Sequence, residues 1–159
     1  MNKNEAHLAT DFLTYQTARL QALIQEIIQC CENRKLFESQ KFGLPYAELK
    51  CLILFQGERY LTVKNIAQSL DVAKSRVTKL INGLSGKGLV DAIDDPKDAR
   101  VRLISLTSAG QKKSEEIDDF QRDIHRKILV QFTADERKNL LSRMESLRSA
   151  MEAVKGQLV

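Results

Sequence analysis

Apolar residues recur at three- and four-residue steps through Leu8, Phe12, Tyr15, Leu20, Leu23, Ile24, Ile27, Ile28 and Cys31. That period predicts one long amphipathic helix at the start of the chain. Glu32 to Phe42 is polar and reads as a loop or short turn. Pro45, at a favoured first helical position, opens a second helix to about Phe55, and Gln56-Gly57-Glu58-Arg59 breaks it. Thr62 is a good N-cap for a short helix from Val63 to Leu70 with Ile66, Ala67 and Leu70 inward. Asp71-Val72 then makes a tight turn into another short helix, from about Ala73 to Ser85, closed by Gly86 and Gly88.

From Leu89 the period changes. Leu89–Ile93 and Val101–Leu106 are short apolar stretches on either side of Asp94-Asp95-Pro96-Lys97-Asp98, which predicts two strands joined by a polar turn. Thr107 or Ser108 caps a long helix with Ile117, Phe120, Ile124, Ile128 and Leu129 on one face. Thr133-Ala-Asp-Glu136 is a capping-box pattern opening a last helix, whose stripe is Leu140, Leu141, Met144, Leu147, Met151 and Val154. The terminal helices carry long apolar stripes around a small helix–strand centre. Left unpaired, such stripes would be exposed patches of a kind monomers avoid. A second copy of the chain across a two-fold axis covers them economically; packing of the stripes within one chain is the alternative.

At 159 residues the chain fits one domain, and 43% hydrophobic residues suffice for a core. The longest apolar run, Cys51 to Phe55, falls far short of the roughly 20 residues needed to cross a bilayer. Glu5 and Asp11 near the N-terminus, without an apolar core segment, argue against a secretory signal. Three cysteines are an odd number and too few for a disulfide scaffold, which predicts a reducing cytoplasm. The net charge of +4 becomes informative once it is located. Residues 1–61 and 91–159 are each balanced, whereas residues 62–90 hold Lys64, Lys74, Arg76, Lys79 and Lys87 against Asp71 alone. A local positive field of this kind attracts polyanions.

Two short helices joined by a tight turn, the second bearing exposed bases, followed by a two-stranded hairpin, form a winged helix-turn-helix. A helix fits the major groove of duplex DNA, where every base pair shows a distinguishable set of donors, acceptors and methyl groups. With Val77, Leu80, Ile81 and Leu84 inward, Lys74, Ser75, Arg76, Thr78 and Lys79 remain outside. Arg76 is the candidate for guanine readout because its planar fork matches O6 and N7. Ser75 and Thr78 can bond a base or a phosphate, and Lys74 and Lys79 suit phosphates as point charges.

The run Leu61-Thr-Val-Lys-Asn-Ile-Ala-Gln-Ser-Leu-Asp-Val-Ala-Lys-Ser-Arg-Val-Thr-Lys-Leu-Ile-Asn-Gly-Leu84 is followed by Gly88-Leu-Val90, Asp98-Ala-Arg100 and Leu106-Thr-Ser-Ala-Gly110. In order and spacing this resembles the multiple-antibiotic-resistance regulator (MarR) family over about residues 44–112. The wing's Asp-x-Arg with the later Leu-Thr and Gly is the more specific part. The resemblance implies a dimeric transcription factor, most often a repressor, relieved in many members by a small aromatic acid or by thiol oxidation. It also implies that Arg100 at the wing tip enters the minor groove, supported by Asp98 through a short ion pair. A narrow A·T-rich minor groove concentrates the negative potential that attracts arginine. Arg102, two residues along the strand from Arg100, faces the same side and adds a phosphate contact. The chain departs from the family pattern at Ala73, Asp91 and Ala99; the last two take basic residues from the wing region.

Other constellations suggest different chemistry. Cys30 and Cys31 are candidate redox thiols, with Arg34 and Lys35 close in sequence, whereas Cys51 falls among Leu49, Leu52, Ile53 and Leu54 and reads as core. His7 and His125 are too few for a zinc site. No phosphate loop, nucleophile elbow or metal-spaced histidine pair suggests an enzyme. Tyr15, Arg19, Tyr46 and Phe55 could together bind an aromatic or anionic effector, and core packing explains the aromatic residues equally well. The expectation is therefore a mostly α single domain over 1–159 with a small β-hairpin wing. Residues 44–106 form the winged helix-turn-helix, and residues 1–43 and 107–159 the helical dimerisation region. Its partners are a second copy and a pseudo-palindromic DNA duplex, with no cofactor, no metal and no membrane. The alternatives are a thiol-based redox-sensing regulator and a winged helix used as a protein-interaction module.

Overall fold

The computed structural model describes the backbone of residues 3–94 and 101–157, with side chains from residue 11 onward within those ranges. Helix α1 (Lys3–Phe42) has 40 residues, about 60 Å at 1.5 Å per residue. It runs straight through Glu32–Phe42, where a loop was expected. The polar side chains of that stretch pair along the helix: Lys35 with Glu32, and Arg34 Nε with Glu38 at 3.2 Å. Gln29 also donates to Asn33 at 3.1 Å. Pairs spaced three and four residues apart support a helix rather than break it. The stop comes at Gly43, whose φ of +64° only glycine adopts cheaply, and the Leu44 amide donates back to the Ser39 carbonyl at 3.2 Å.

Pro45 stands just outside α2 (Tyr46–Ile53), its carbonyl accepting from the Glu48 and Leu49 amides at 2.9 and 3.1 Å. Strand β1 (Leu61–Thr62) leads into α3 (Val63–Leu70). Thr62 caps α3 as predicted: its hydroxyl accepts from the Asn65 amide at 3.1 Å, and the Asn65 side chain accepts from the Thr62 amide at 3.2 Å. Asp71, at φ +53°, turns the chain into α4 (Lys74–Gly86), which extends one residue beyond the predicted end. Strands β2 (Val90–Asp94) and β3 (Arg102–Leu106) form the predicted hairpin. They belong to a three-stranded antiparallel sheet of order β1-β3-β2, not a two-stranded one. Leu61 pairs with Ile104 and Thr62 with Leu103, so the second edge is covered by a strand too short to leave a periodic signal.

Helix α5 (Ser108–Leu129) is followed by α6 (Ala134–Lys155). Thr133 and Glu136 close the capping box of α6: the Thr133 amide donates to the Glu136 carboxylate at 2.8 Å, and the Glu136 amide donates to the Thr133 hydroxyl at 3.4 Å. The chain separates into two compact units, one running to Gln111 and one from Lys112. In the first, Leu49, Leu52, Ile66, Val77, Leu84, Val90 and Ile104 are fully buried and form the core between α2, α3, α4 and the sheet. Many apolar side chains stay exposed: Phe12, Leu13, Leu20, Leu23, Ile27 and Ile28 on α1, and Leu141, Met144, Leu147, Met151 and Val154 on α6. No helix among the described residues is long and apolar enough to cross a membrane.

Gly110, in the first turn of α5, passes so close to the backbone that a Cβ there would lie 1.8 Å from the Leu89 carbonyl oxygen. Alanine at an unconstrained helix position stabilises by about 1 kcal/mol. Here the obstacle is main chain, which no rotamer change relieves. Gly110→Ala is expected to cost about 2–3 kcal/mol in urea unfolding. A neutral or stabilising substitution would show that this crossing has slack.

Candidate nucleic-acid interface

The exposed face of α4 follows from what its opposite face buries. Val77, Ile81 and Leu84 are buried and Leu80 half-buried, a spacing of three and four that seats the helix on the core. Lys74, Ser75, Arg76, Thr78 and Lys79 are thereby turned to solvent, as the sequence predicts. Ala73 caps the helix without a side-chain hydrogen bond. The Arg76 amide turns back to the Ala73 carbonyl at 2.9 Å, and the positive end of the helix dipole faces water or an anion. The Thr78 hydroxyl donates to the Lys74 carbonyl at 3.1 Å, so it reaches outward only as an acceptor.

The cations flank two shallow grooves. Arg76 and Lys79 border one, with Ser75, Leu80, Pro45, Ala47 and Glu48, between the start of α2 and α4. Lys74 borders the other, along the α3–α4 turn, with Lys64, Gln68 and Asp71. Lys64 thus adds a base to this candidate face from α3. Its signal in the sequence is the charge excess of residues 62–90, although it lies outside the recognition helix itself. Among the described residues, none of Lys64, Lys74, Arg76 and Lys79 forms an ion pair. Lys87 does: its ammonium lies 3.0 Å from the buried Glu48 carboxylate of α2 and donates to the Gly83 carbonyl at 3.3 Å. One of the five bases counted from the sequence is therefore neutralised from outside its segment.

Arg102 is exposed and stands opposite Asp94 in the register of β2 and β3. Asp98 and Arg100, on which the minor-groove expectation rests, lie outside the described residues. Asp71 is the acid on the rim of the Lys64–Lys74 groove. Its left-handed φ also suits asparagine. Asp71→Asn should keep the fold and tighten duplex binding at low salt by about 2–10-fold. Fluorescence anisotropy with a labelled duplex measures this; unchanged or weaker binding would place the turn away from DNA.

The other candidates fare differently. Cys30 is exposed, Cys31 half-buried and Cys51 buried. Burial, then the neighbouring Glu48, pushes the Cys51 thiol up to about 12, so it is inert, as its apolar surroundings predict. The bases beside Cys30 and Cys31 are engaged, Arg34 by Glu38 and Lys35 by Glu32, and do not act as free activating charges. The four residues considered for an effector do not converge within one chain. Phe55 is buried in the core, while Tyr15 is exposed. Arg19 pairs with Glu26 at 3.6 Å, and Tyr46 lies under the Lys35 ammonium at 5.5 Å. Arg19 and Lys35 are separated by about 24 Å of helix rise. Burial, then Glu38, raises the Tyr46 hydroxyl above its ordinary range, as suits a tyrosine packed at the α1–α2 junction. No cluster of three or more His, Cys, Asp or Glu suited to a metal occurs among the described residues.

Comparison with known proteins extends these observations. A family model described as MarR family matches residues 42–101. The HTH-type transcriptional repressor MdtR of Bacillus subtilis is 30% identical over 117 residues, covering 74% of this chain and 76% of that protein. The crystal structure of YusO from Bacillus subtilis superimposes with a TM-score of 0.70 at 28% identity, covering 84% of this chain and 95% of that one. A structure of the Staphylococcus aureus MepR–DNA complex shares the fold, with a TM-score of 0.66 at 20% identity over 83% of this chain and 97% of that one.

Proposed function

The chain belongs to the MarR family, and we propose that as one of its transcriptional regulators it acts as a dimeric, sequence-specific repressor. The observation that carries this reading is the exposed row Lys74, Arg76 and Lys79, held outward by a buried apolar face and free of ion-pair partners among the described residues. That arrangement offers a duplex two things at once: point charges for phosphates and one planar fork for a base edge. A second copy covers the apolar residues that α1 and α6 leave exposed. A symmetric pair of recognition helices then reads two half-sites about 10 base pairs apart, one in each of two successive major grooves. Repression follows from occupying the site, as the name of the repressor MdtR from Bacillus subtilis describes for that relative.

Selection of bound duplexes from a random pool by the full chain tests the reading. The expected product is an inverted repeat with the two-fold symmetry of the protein. Arg76→Ala should relax the preference at one position of each half-site, worth about 1–3 kcal/mol of discrimination. A pool that shows no enrichment at moderate salt would reject sequence-specific binding.

A further inference from the structure

The exit of the recognition helix is tied down on two sides by backbone and hydroxyl hydrogen bonds. Within the exit, the Gly88 amide donates to Ser85 at 2.9 Å and the Leu89 amide to Leu84 at 3.0 Å, so residues 88–89 move with α4. On the other side stands Thr107, the residue before α5. Its amide donates to the Leu89 carbonyl at 3.1 Å and its hydroxyl to the Gly88 carbonyl at 2.7 Å, while the same hydroxyl accepts from the Gly110 amide at 3.0 Å. The backbone of Gly110 crosses Leu89 with no room for a Cβ, so the two segments cannot slide past each other. Helix α5 continues unbroken from this turn to Leu129.

We propose that Thr107 is a positioning residue for operator recognition: its hydroxyl fixes the exit of α4 to the first turn of α5 and so sets the orientation of the recognition helix on that turn. The inference rests on the DNA-binding reading. It predicts a specific kind of failure. Without the hydroxyl, each recognition helix still forms and still reads a half-site, but two helices in a dimer no longer present themselves at one fixed separation. The cost falls on duplexes that demand both at once.

The test uses the full chain, the duplex recovered by selection and a duplex carrying one half-site. Thr107→Val removes the hydroxyl at constant shape, and Thr107→Ser retains it. Thr107→Val is expected to bind the full site about 10-fold more weakly, from one lost bridging hydroxyl, with half-site affinity within about two-fold of the parent. Thr107→Ser is expected to match the parent on both. Equal losses on both duplexes would show that Thr107 merely holds the fold together, and no loss on either would show that the exit is fixed without it; each outcome overturns the proposal. Failure of the parent chain to select any duplex overturns the DNA-binding reading and this inference with it.

Discussion

Duplex affinity of the full chain is expected to fall by about 10³–10⁵ between 50 and 200 mM salt, as for a protein making 6–10 phosphate contacts. The exposed lysines bear on that number. Lys64, Lys74 and Lys79 are exposed and unpaired among the described residues, which gives about six contacts in a dimer before any from the wing. Each contact adds about 0.9 to the slope of log affinity against log salt. Replacing both Lys74 and Lys79 by glutamine removes about four contacts from the dimer. The loss over the same salt range should then shrink to about 10-fold if those six are all there are. Because Lys87 is neutralised by Glu48, removing the pair together (Glu48→Met with Lys87→Met) should leave the slope unchanged. A protein-docking winged helix would show little salt dependence in duplex binding. A slope that Lys87 controls as strongly as Lys79 would place the interface at the wrong end of α4.

That contrast shows where the sequence is legible and where it is not. Period-3.6 spacing exposes the seat of α4 directly, because Val77, Ile81 and Leu84 are buried for the same reason they recur. Thr62 and Thr133 are legible as caps because a cap is a contact between residues three apart. Local chemistry also governs the helix between Glu32 and Phe42, and there polarity alone was the wrong signal. Salt-bridge spacing, Glu32 to Lys35 and Arg34 to Glu38, decides in favour of helix.

Contacts distant in sequence are another matter. Strand β1 exists only because Leu61 and Thr62 find Ile104 and Leu103 some forty positions later. Lys87 finds Glu48 at a separation of 39 residues, so a charge count by segment overstates the field at the exit of α4. The same limit applies to the four residues read as an effector set. Tyr46 faces Lys35 rather than Arg19, and sequence proximity to a helix start says nothing about which turn of a 40-residue helix will face it. Gly110 and Gly83 look like weak points of helices α5 and α4. Their reason is a close approach by another part of the chain, the Leu89 carbonyl in one case and the Glu48 carboxylate in the other.

Lys87→Met is expected to destabilise the protein by about 3 kcal/mol, the lower end for breaking a buried ion pair. For a chain of this length that lowers the melting temperature by about 6–12 °C. The reasoning turns on the asymmetry of the pair. The Glu48 side chain is 8% exposed and the Lys87 side chain 41%. Without lysine the carboxylate is left buried with its charge uncompensated. Glycine at position 83 leaves it room, since a Cβ there would lie 2.5 Å from the carboxylate oxygen. Glu48→Gln is the gentler change. The lysine can turn its ammonium to water, and the amide oxygen still accepts from it, so a loss of about 1 kcal/mol is expected. The double substitution, Glu48→Met with Lys87→Met, removes both charges and should be more stable than Lys87→Met alone. Thermal or urea unfolding of the four proteins decides the matter. Equal losses for the two single variants would mean that the Glu48 carboxylate reaches water in solution, and that α4 is held by its apolar face without this clamp.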